Sequence, residues 1–589
     1  MRTIEGFALN AVWEEIVDVK NETSTSQSEM TGAESLLLGL KRNGIDYIFA
    51  NAGTDFPPII EAFVSLSEDV VPEPITVPHE TASVAMAHGY YLVTGEPQAT
   101  MVHVNVGLAN SVMGVINAAS DNIPVVVLSG RTPITESGRR GARVTPIQYG
   151  QEMYDQSSMV SDVTKFHYEM RYPEQGDLLA GRATTLAMSE PRGPVYVSLP
   201  REPLMETVPA SAARPASPQA VSSRAYPDPE AIRIAADWLS DARAPLVICQ
   251  RSSPDGSAAR EILQLAEEFA IPVVEPFTVR NVMPSAHPMF LGYDVKAPLA
   301  EADVVIVVDS AIPWMESLHH PGEGTRVIHL GPDPQFQRMP IRGFRSDLSI
   351  LGDPAAGVAA LAEAMRPLLR DVAERRNLIA GRSRQRLERA ASLAVAGCED
   401  PMTAEWMSHC LSEAMDERAV VFSELGIVPD MMKVTGPNRI FNNPHSGGLG
   451  WGLPAALGAQ LADRDRLCIA CVGDGSYMFS NPVACHQIAE ALQLPVLTIV
   501  KNNGIWNAVR RSVVRSYPEG AAVKANRMPL VSLEPAPDYT NIAAASRAYT
   551  ERVEHGQDLP AALERAIDVI RREKRQAMLE LKIAVSDDR

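Results

Sequence analysis

The chain has 589 residues, 46% of them hydrophobic, with 72 acidic against 53 basic side chains and a formal net charge of −19. That length holds about three domains at ~150 residues each, with enough apolar side chains for sizeable cores. The acidity argues against nucleic acid or an anionic membrane surface as a partner.

Residues 1–30 read as a polar, mobile tail, in which Glu and Asp stand where a signal sequence would carry a basic stretch and an apolar core. No run of about 20 apolar residues follows, so no membrane span is expected. Residues 31–205 form a first α/β region, with strands at 45–49, 100–103 and 124–128 between helical stretches. In it Pro78-His79-Glu80 leads into a small-residue helix, and Glu80 stands at its N-terminus, where the helix dipole favours a carboxylate. Residues 206–228, rich in Pro, Ala and Ser, have the composition of a linker.

A central α/β region covers 229–370, with strands at 246–249, 304–308 and 327–330, and a basic helical connection covers 371–400. The third region, 401–589, carries the chain's most informative motif. An apolar strand at 467–472 ends in Gly473-Asp474-Gly475-Ser476, a helix follows at 482–492, and a second strand at 496–500 delivers Asn502-Asn503. The expected fold class is α/β, with three doubly wound domains built on mainly parallel sheets. Six cysteines show no disulfide framework, which fits a reducing cytoplasm, and the Cys468/Cys471 pair lies inside the apolar strand, where it reads as core.

Both polar clusters of the third region fall at carboxyl ends of parallel strands, where open α/β sheets bind ligands. Mg²⁺ takes oxygen ligands in a near-octahedral shell, so Asp474, the amide oxygen of Asn503 and the nearby main-chain carbonyl of Ile505 would leave positions for phosphate oxygens. Glycines beside the aspartate let backbone approach a diphosphate. An ordinary Asp-Gly turn is the alternative reading of Gly473-Asp474-Gly475 alone.

From Gly447-Gly448-Leu449-Gly450-Trp451-Gly452 through Asn502-Asn503-Gly504-Ile505-Trp506 the chain resembles the cofactor domain of thiamine diphosphate (ThDP) enzymes. It is most similar to benzoylformate decarboxylase and its acetolactate synthase relatives, and the likeness runs from Thr31 to about Ala584. The resemblance implies a pyruvate decarboxylase-like architecture, with ThDP and Mg²⁺ as cofactors. It casts Glu80 as the glutamate that shares a proton with the aminopyrimidine ring, and Leu449 as the apolar wedge that folds the cofactor over. Gly426, Gly448, Gly475 and Ser476 fall at cofactor-contacting positions, and Trp506 at an aromatic position near the cofactor. The family also implies that Glu80 and Asp474 meet from different subunits, hence a homodimer or homotetramer.

On the substrate side, His103 matches an active-site histidine of the decarboxylase, and His287 falls where that family has a second one. Thr54, in Asn51-Ala52-Gly53-Thr54-Asp55, replaces a substrate-binding serine and brings an extra methyl group. The Ser-Gly-Pro-Gly type loop of acetolactate synthases is absent around His103, and their flavin-binding segments are replaced by Gln250-Arg251-Ser252-Ser253-Pro254 and Asp309-Ser310-Ala311-Ile312-Pro313-Trp314. FAD is therefore not expected. The reading is a lyase acting on a small-molecule 2-oxo acid, with acetolactate-type carboligation as the nearest alternative. A dinucleotide-binding oxidoreductase is a remote one, since no regular GxGxxG with an acidic partner about 20 residues on is present.

Overall fold

Residues 29–212 and 219–585 are described in a computed structural model. Residues 1–28 of the expected tail and 213–218 of the expected linker lie outside them. By contacts the chain divides into two compact units. Of the described residues, the first holds those in 29–91, 95–222 and 444–448, and the second those in 92–94, 223–443 and 449–585.

In the first unit the strands are β1 (Glu29–Thr31), β2 (Tyr47–Asn51), β3 (Glu73–Thr76), β4 (Gln98–Val102), β5 (Val125–Arg131), β6 (His167–Glu169), β7 (Val195–Pro200) and β8 (Thr207–Pro209). Six of them form a parallel sheet in the order β3-β2-β4-β5-β7-β6. β4 and β7 are buried along their whole length, as expected for parallel strands covered by helices on both faces. β1 and β8 pair antiparallel, so two short strands stand where composition alone suggests tail and linker.

The second unit holds two sheets. The central one uses β9 (Pro245–Cys249), β10 (Val273–Val274), β11 (Val304–Val308), β12 (Arg326–Gly331) and β13 (Leu348–Leu351), parallel in the order β10-β9-β11-β12-β13. A one-turn 3₁₀ segment, Arg366–Leu368, precedes the long helix Ala373–Ala396. The last sheet uses β14 (Val420–Glu424), β15 (Ile440–Asn442), β16 (Cys468–Gly473), β17 (Leu497–Asn502), β18 (Tyr549–Val553) and β19 (Ala577–Lys582), parallel in the order β15-β14-β16-β17-β19-β18. The two sheets of this unit are tied through Asn281, whose Oδ1 accepts from the amides of Arg439 and Ile440.

The architecture is the three-domain α/β arrangement expected from the sequence. In the first sheet the order reverses between β2 and β4, and in the last between β14 and β16. Such switch points open a crevice at the strands' carboxyl ends, and the candidate residues gather at both.

Candidate active site

In the first unit Glu80 opens the helix Glu80–Thr94 and is 6% exposed. Its Oε1 accepts from Asn51 Nδ2 at 2.9 Å, off the end of β2, and its Oε2 from Asn110 Nδ2 at 3.2 Å, on the helix Val104–Ser120. Each carboxylate oxygen is thus aimed by an amide from a different element. His103 follows β4, and its Nδ1 lies 2.5 Å from Asp55 Oδ1. The hydrogen bond to Asp55 is the main cause that raises the imidazole pKa above its ordinary value, partial burial opposes it, and the charge of Glu80 adds a smaller upward push. Thr54 is exposed on the turn after β2, whereas Asp55 beside it is buried. Asn110 and Asp55 are therefore site residues that sequence reasoning missed. Asp55 lies inside the quoted Asn51 to Asp55 segment, but the partners of Asn110 and Asp55 are 30 and 48 residues away.

In the second unit β16 ends at Gly473, and Asp474 opens the short helix Asp474–Phe479. Asp474 is 3% exposed; its Oδ1 accepts from the Gly475 amide at 2.9 Å and its Oδ2 from the Gly504 amide at 2.8 Å. Burial raises its pKa, against those backbone donors. Asn502 donates from Nδ2 to Glu580 at 2.9 Å and accepts at Oδ1 from the Gly504 amide at 3.1 Å, while Asn503 Oδ1 accepts from the Ile505 amide at 3.1 Å. The indole of Trp506 lies so close over Gly475 that any Cβ at that position would overlap it. Phe479 meets the same indole edge-on, with centroids 5.8 Å apart. Lys501 Nζ donates to the carbonyl of Gly426 at 3.1 Å, which fixes the loop after β14.

The glycine-rich segment is held at several points. Within the first unit the Asn117 side chain accepts from the Gly448 amide and donates to its carbonyl, at 3.1 and 2.9 Å. Within the second, the fully buried carboxylate of Glu424 accepts from the amides of Gly450 and Gly452, both at 2.6 Å, so the backbone just after half-buried Leu449 is pinned. Burial pushes the Glu424 carboxyl up to about 7, although the amides of 450–452 and the Ser476 hydroxyl favour the ionised form. This role of Glu424 was also invisible in the sequence.

His287 stands apart from these clusters in its hydrogen bonding. Its Nε2 meets Glu267 Oε1 at 3.0 Å, its Nδ1 accepts from the Met289 amide at 3.1 Å, and its carbonyl accepts from Ser383. Cys468 and Cys471 are fully buried in β16, and burial pushes the Cys471 thiol up to about 12 and that of Cys468 higher still, as suits core thiols.

Compared with known families, residues 30–159 match the thiamine pyrophosphate enzyme N-terminal TPP binding domain, 232–361 the central domain, and 426–581 the C-terminal TPP binding domain. The chain belongs to the ThDP-dependent decarboxylase and acetolactate synthase superfamily. Benzoylformate decarboxylase of Pseudomonas aeruginosa is 27% identical over 488 residues, covering 80% of this chain and 85% of the relative. Acetolactate synthase isozyme 1 large subunit of Escherichia coli is 26% identical over 526 residues, covering 85% and 86%. The crystal structure of benzoylformate decarboxylase from Polynucleobacter necessarius shares the fold with a TM-score of 0.76 at 20% identity, covering 94% of this chain and 99% of that one.

As a ThDP enzyme of this superfamily the chain is a 2-oxo acid decarboxylase or carboligase. Its donors suit the cofactor: Asp474, Asn503 and the carbonyl at 505 are the hard oxygen ligands that Mg²⁺ prefers, and Gly475 leaves no Cβ beside the indole. Among the described residues no group of three His, Cys, Asp or Glu side chains could hold a metal, so a cation here would need this mixed donor set. No described helix is long and apolar enough to cross a membrane.

Proposed function

We propose that the chain is a ThDP- and Mg²⁺-dependent lyase of the benzoylformate decarboxylase type, which splits CO₂ from a 2-oxo acid and releases the aldehyde. The observation that carries this reading is His103, set at the same crevice as Glu80 and raised in pKa by Asp55, where an acetolactate synthase would have a glycine-rich loop.

When bound, ThDP supplies the carbon that adds to the oxo group and the electron sink for the pair left behind by CO₂. Glu80 holds a proton toward the aminopyrimidine ring. Asp474, Asn503 and the Ile505 carbonyl would hold Mg²⁺, with Gly426, Gly475 and Ser476 against the diphosphate. Gly448 and Leu449 would pack against the cofactor rings, and Trp506 would wall the cradle. The Thr54 hydroxyl and His103 take the substrate carboxylate, and His103 returns a proton to the product carbon. His287, whose Nε2 faces Glu267 and whose Nδ1 accepts from the Met289 amide, is given no step in this reading. A cytoplasmic homodimer or homotetramer belongs to the same reading.

Incubating the protein with ThDP, Mg²⁺ and either benzoylformate or pyruvate tests it. Aldehyde release supports the proposal. A joined hydroxyketone as sole product replaces it with acetolactate-type carboligation, and no stabilisation of the chain by ThDP plus Mg²⁺ removes the cofactor assignment.

A further inference from the structure

Asp55 is 3% exposed and uses both of its oxygens. Oδ1 lies 2.5 Å from His103 Nδ1, and Oδ2 accepts from the Val104 amide at 3.2 Å. Val104 itself sits at φ 32°, a left-handed conformation that a β-branched residue adopts only at a cost. The helix start thus accepts strain in the arrangement where amide and ring face one carboxylate. Two glycines make the space: a Cβ at Gly130 would overlap the Asp55 side chain, and one at Gly53 the His103 ring. On the other side of the ring, Gln151 Nε2 stands 3.1 Å from His103 Nε2.

An amide nitrogen only donates, so the Nε2 facing Gln151 must carry a lone pair, and the ring's proton is then on Nδ1, given to Asp55. From this arrangement we infer that Asp55 is a positioning residue, which fixes the Nδ1–H tautomer of His103 so that Nε2 is its working nitrogen, and that Gln151 occupies Nε2 until substrate takes its place. This inference rests on the role proposed above for His103. In the protonated ring Nε2–H can no longer accept from the Gln151 amide nitrogen. The pair must then part or the amide must turn its oxygen inward, and the Nε2 proton becomes available to a bound molecule. The charged groups acting on the ring are Asp55 and Glu80.

The geometry makes a specific demand on Asp55→Asn. The Val104 amide needs an oxygen acceptor, so the asparagine oxygen goes there and its NH₂ faces His103 Nδ1. Nδ1 must then accept, which drives the proton of the neutral ring to Nε2 and removes the carboxylate that stabilises the charged ring from which Nε2 gives its proton. The test is ¹⁵N NMR of imidazole-labelled full-length protein without substrate, with the His103 signal assigned by its loss in His103→Gln. Turnover of benzoylformate or pyruvate is measured beside it.

Wild type is expected to show neutral His103 as Nδ1–H, and Asp55→Asn to show it as Nε2–H. kcat should fall roughly 100-fold or more with little change in KM. Asp55→Ala should move the histidine limb of the pH–rate profile to lower pH. An Nε2–H wild-type ring overturns the inference without any variant having to fold, as does an unchanged tautomer in Asp55→Asn. A switched tautomer with unchanged turnover overturns the positioning role and withdraws His103 from the proposed mechanism. The ThDP and Mg²⁺ assignment is judged separately, by cofactor-dependent stabilisation.

Discussion

Replacing Glu424 by Gln puts a number on the clamp that pins the glycine-rich segment. The carboxyl is fully buried and pushed from an ordinary 4.5 to about 7, burial being the first cause. A folded pKa above the unfolded one means that the fold prefers the protonated form. The stability of that form is fully present below pH 4.5 and is lost as pH rises through 7. At ~1.4 kcal/mol per unit, the loss amounts to about 3 kcal/mol. Glutamine is neutral at every pH but has two N–H donors where the protonated acid has one O–H, so one of the two glycine amides faces a donor at any pH. That cost is independent of pH, so guanidinium unfolding of the apo chain should find the stability of wild type relative to Glu424→Gln falling by up to about 3 kcal/mol between pH 5 and pH 8. The variant also carries a functional loss: the amide offers one acceptor where the segment after Leu449 presents two N–H groups, so ThDP affinity should fall. Infrared difference spectra, wild type minus variant, should show a buried carboxyl titrating near pH 7. A pH 8 minus pH 5 stability difference below ~1 kcal/mol would refute the reasoning, because a carboxyl that burial scarcely perturbs gives no such difference.

Three further substitutions probe the two crevices. Glu80→Gln keeps an acceptor for only one of the Asn51 and Asn110 amides, the other having to turn its oxygen to the new NH₂, and it cannot exchange a proton; turnover should fall roughly 10²- to 10⁴-fold with an apo melting curve close to wild type, and full activity would end the activator role. Asp474→Asn should abolish the Mg²⁺-dependent stabilisation by ThDP, worth about 2.7 kcal/mol at 100 times the dissociation constant in wild type, as read by thermal shift with and without chelator. Gly475→Ala pushes a methyl group into the Trp506 indole, so it should quench or shift tryptophan fluorescence and weaken ThDP binding while leaving Glu80 and His103 untouched.

How much of this the sequence disclosed follows from the range over which each residue acts. Asp474 and Asn503 were readable because apolar strands of fixed polarity must deliver them to one edge of the sheet, and the central strand 304–308 was placed to the residue by its unbroken run of Val and Ile. Glu80 was readable from a helix start and a family likeness. Asp55 stood in view beside Thr54, yet its role and those of Asn110 and Glu424 depend on side-chain contacts across 48, 30 and 26 to 28 residues, which no periodicity encodes. Gln151 belongs to a loop whose course is set by side-chain ties, such as Gln156 to the Gly130 carbonyl and to Tyr196, instead of by regular backbone pairing. β1 and β8 were hidden for a related reason: each is three residues long and pairs with the other across 176 to 180 positions of sequence, Thr31 with Thr207 and Glu29 with Pro209.

The two six-stranded sheets have one winding plan: counted from its own first strand, each runs second, first, third, fourth, sixth, fifth. One backbone recipe therefore produces the cleft twice, and chemistry is written onto it by a handful of side chains at strand termini. At one cleft a carboxylate is steered by two side-chain amides, and at the other by main-chain N–H groups. Grafting experiments on this scaffold have a natural unit of exchange, the few residues after each terminus, and could move a function from one cleft to its twin without disturbing either core.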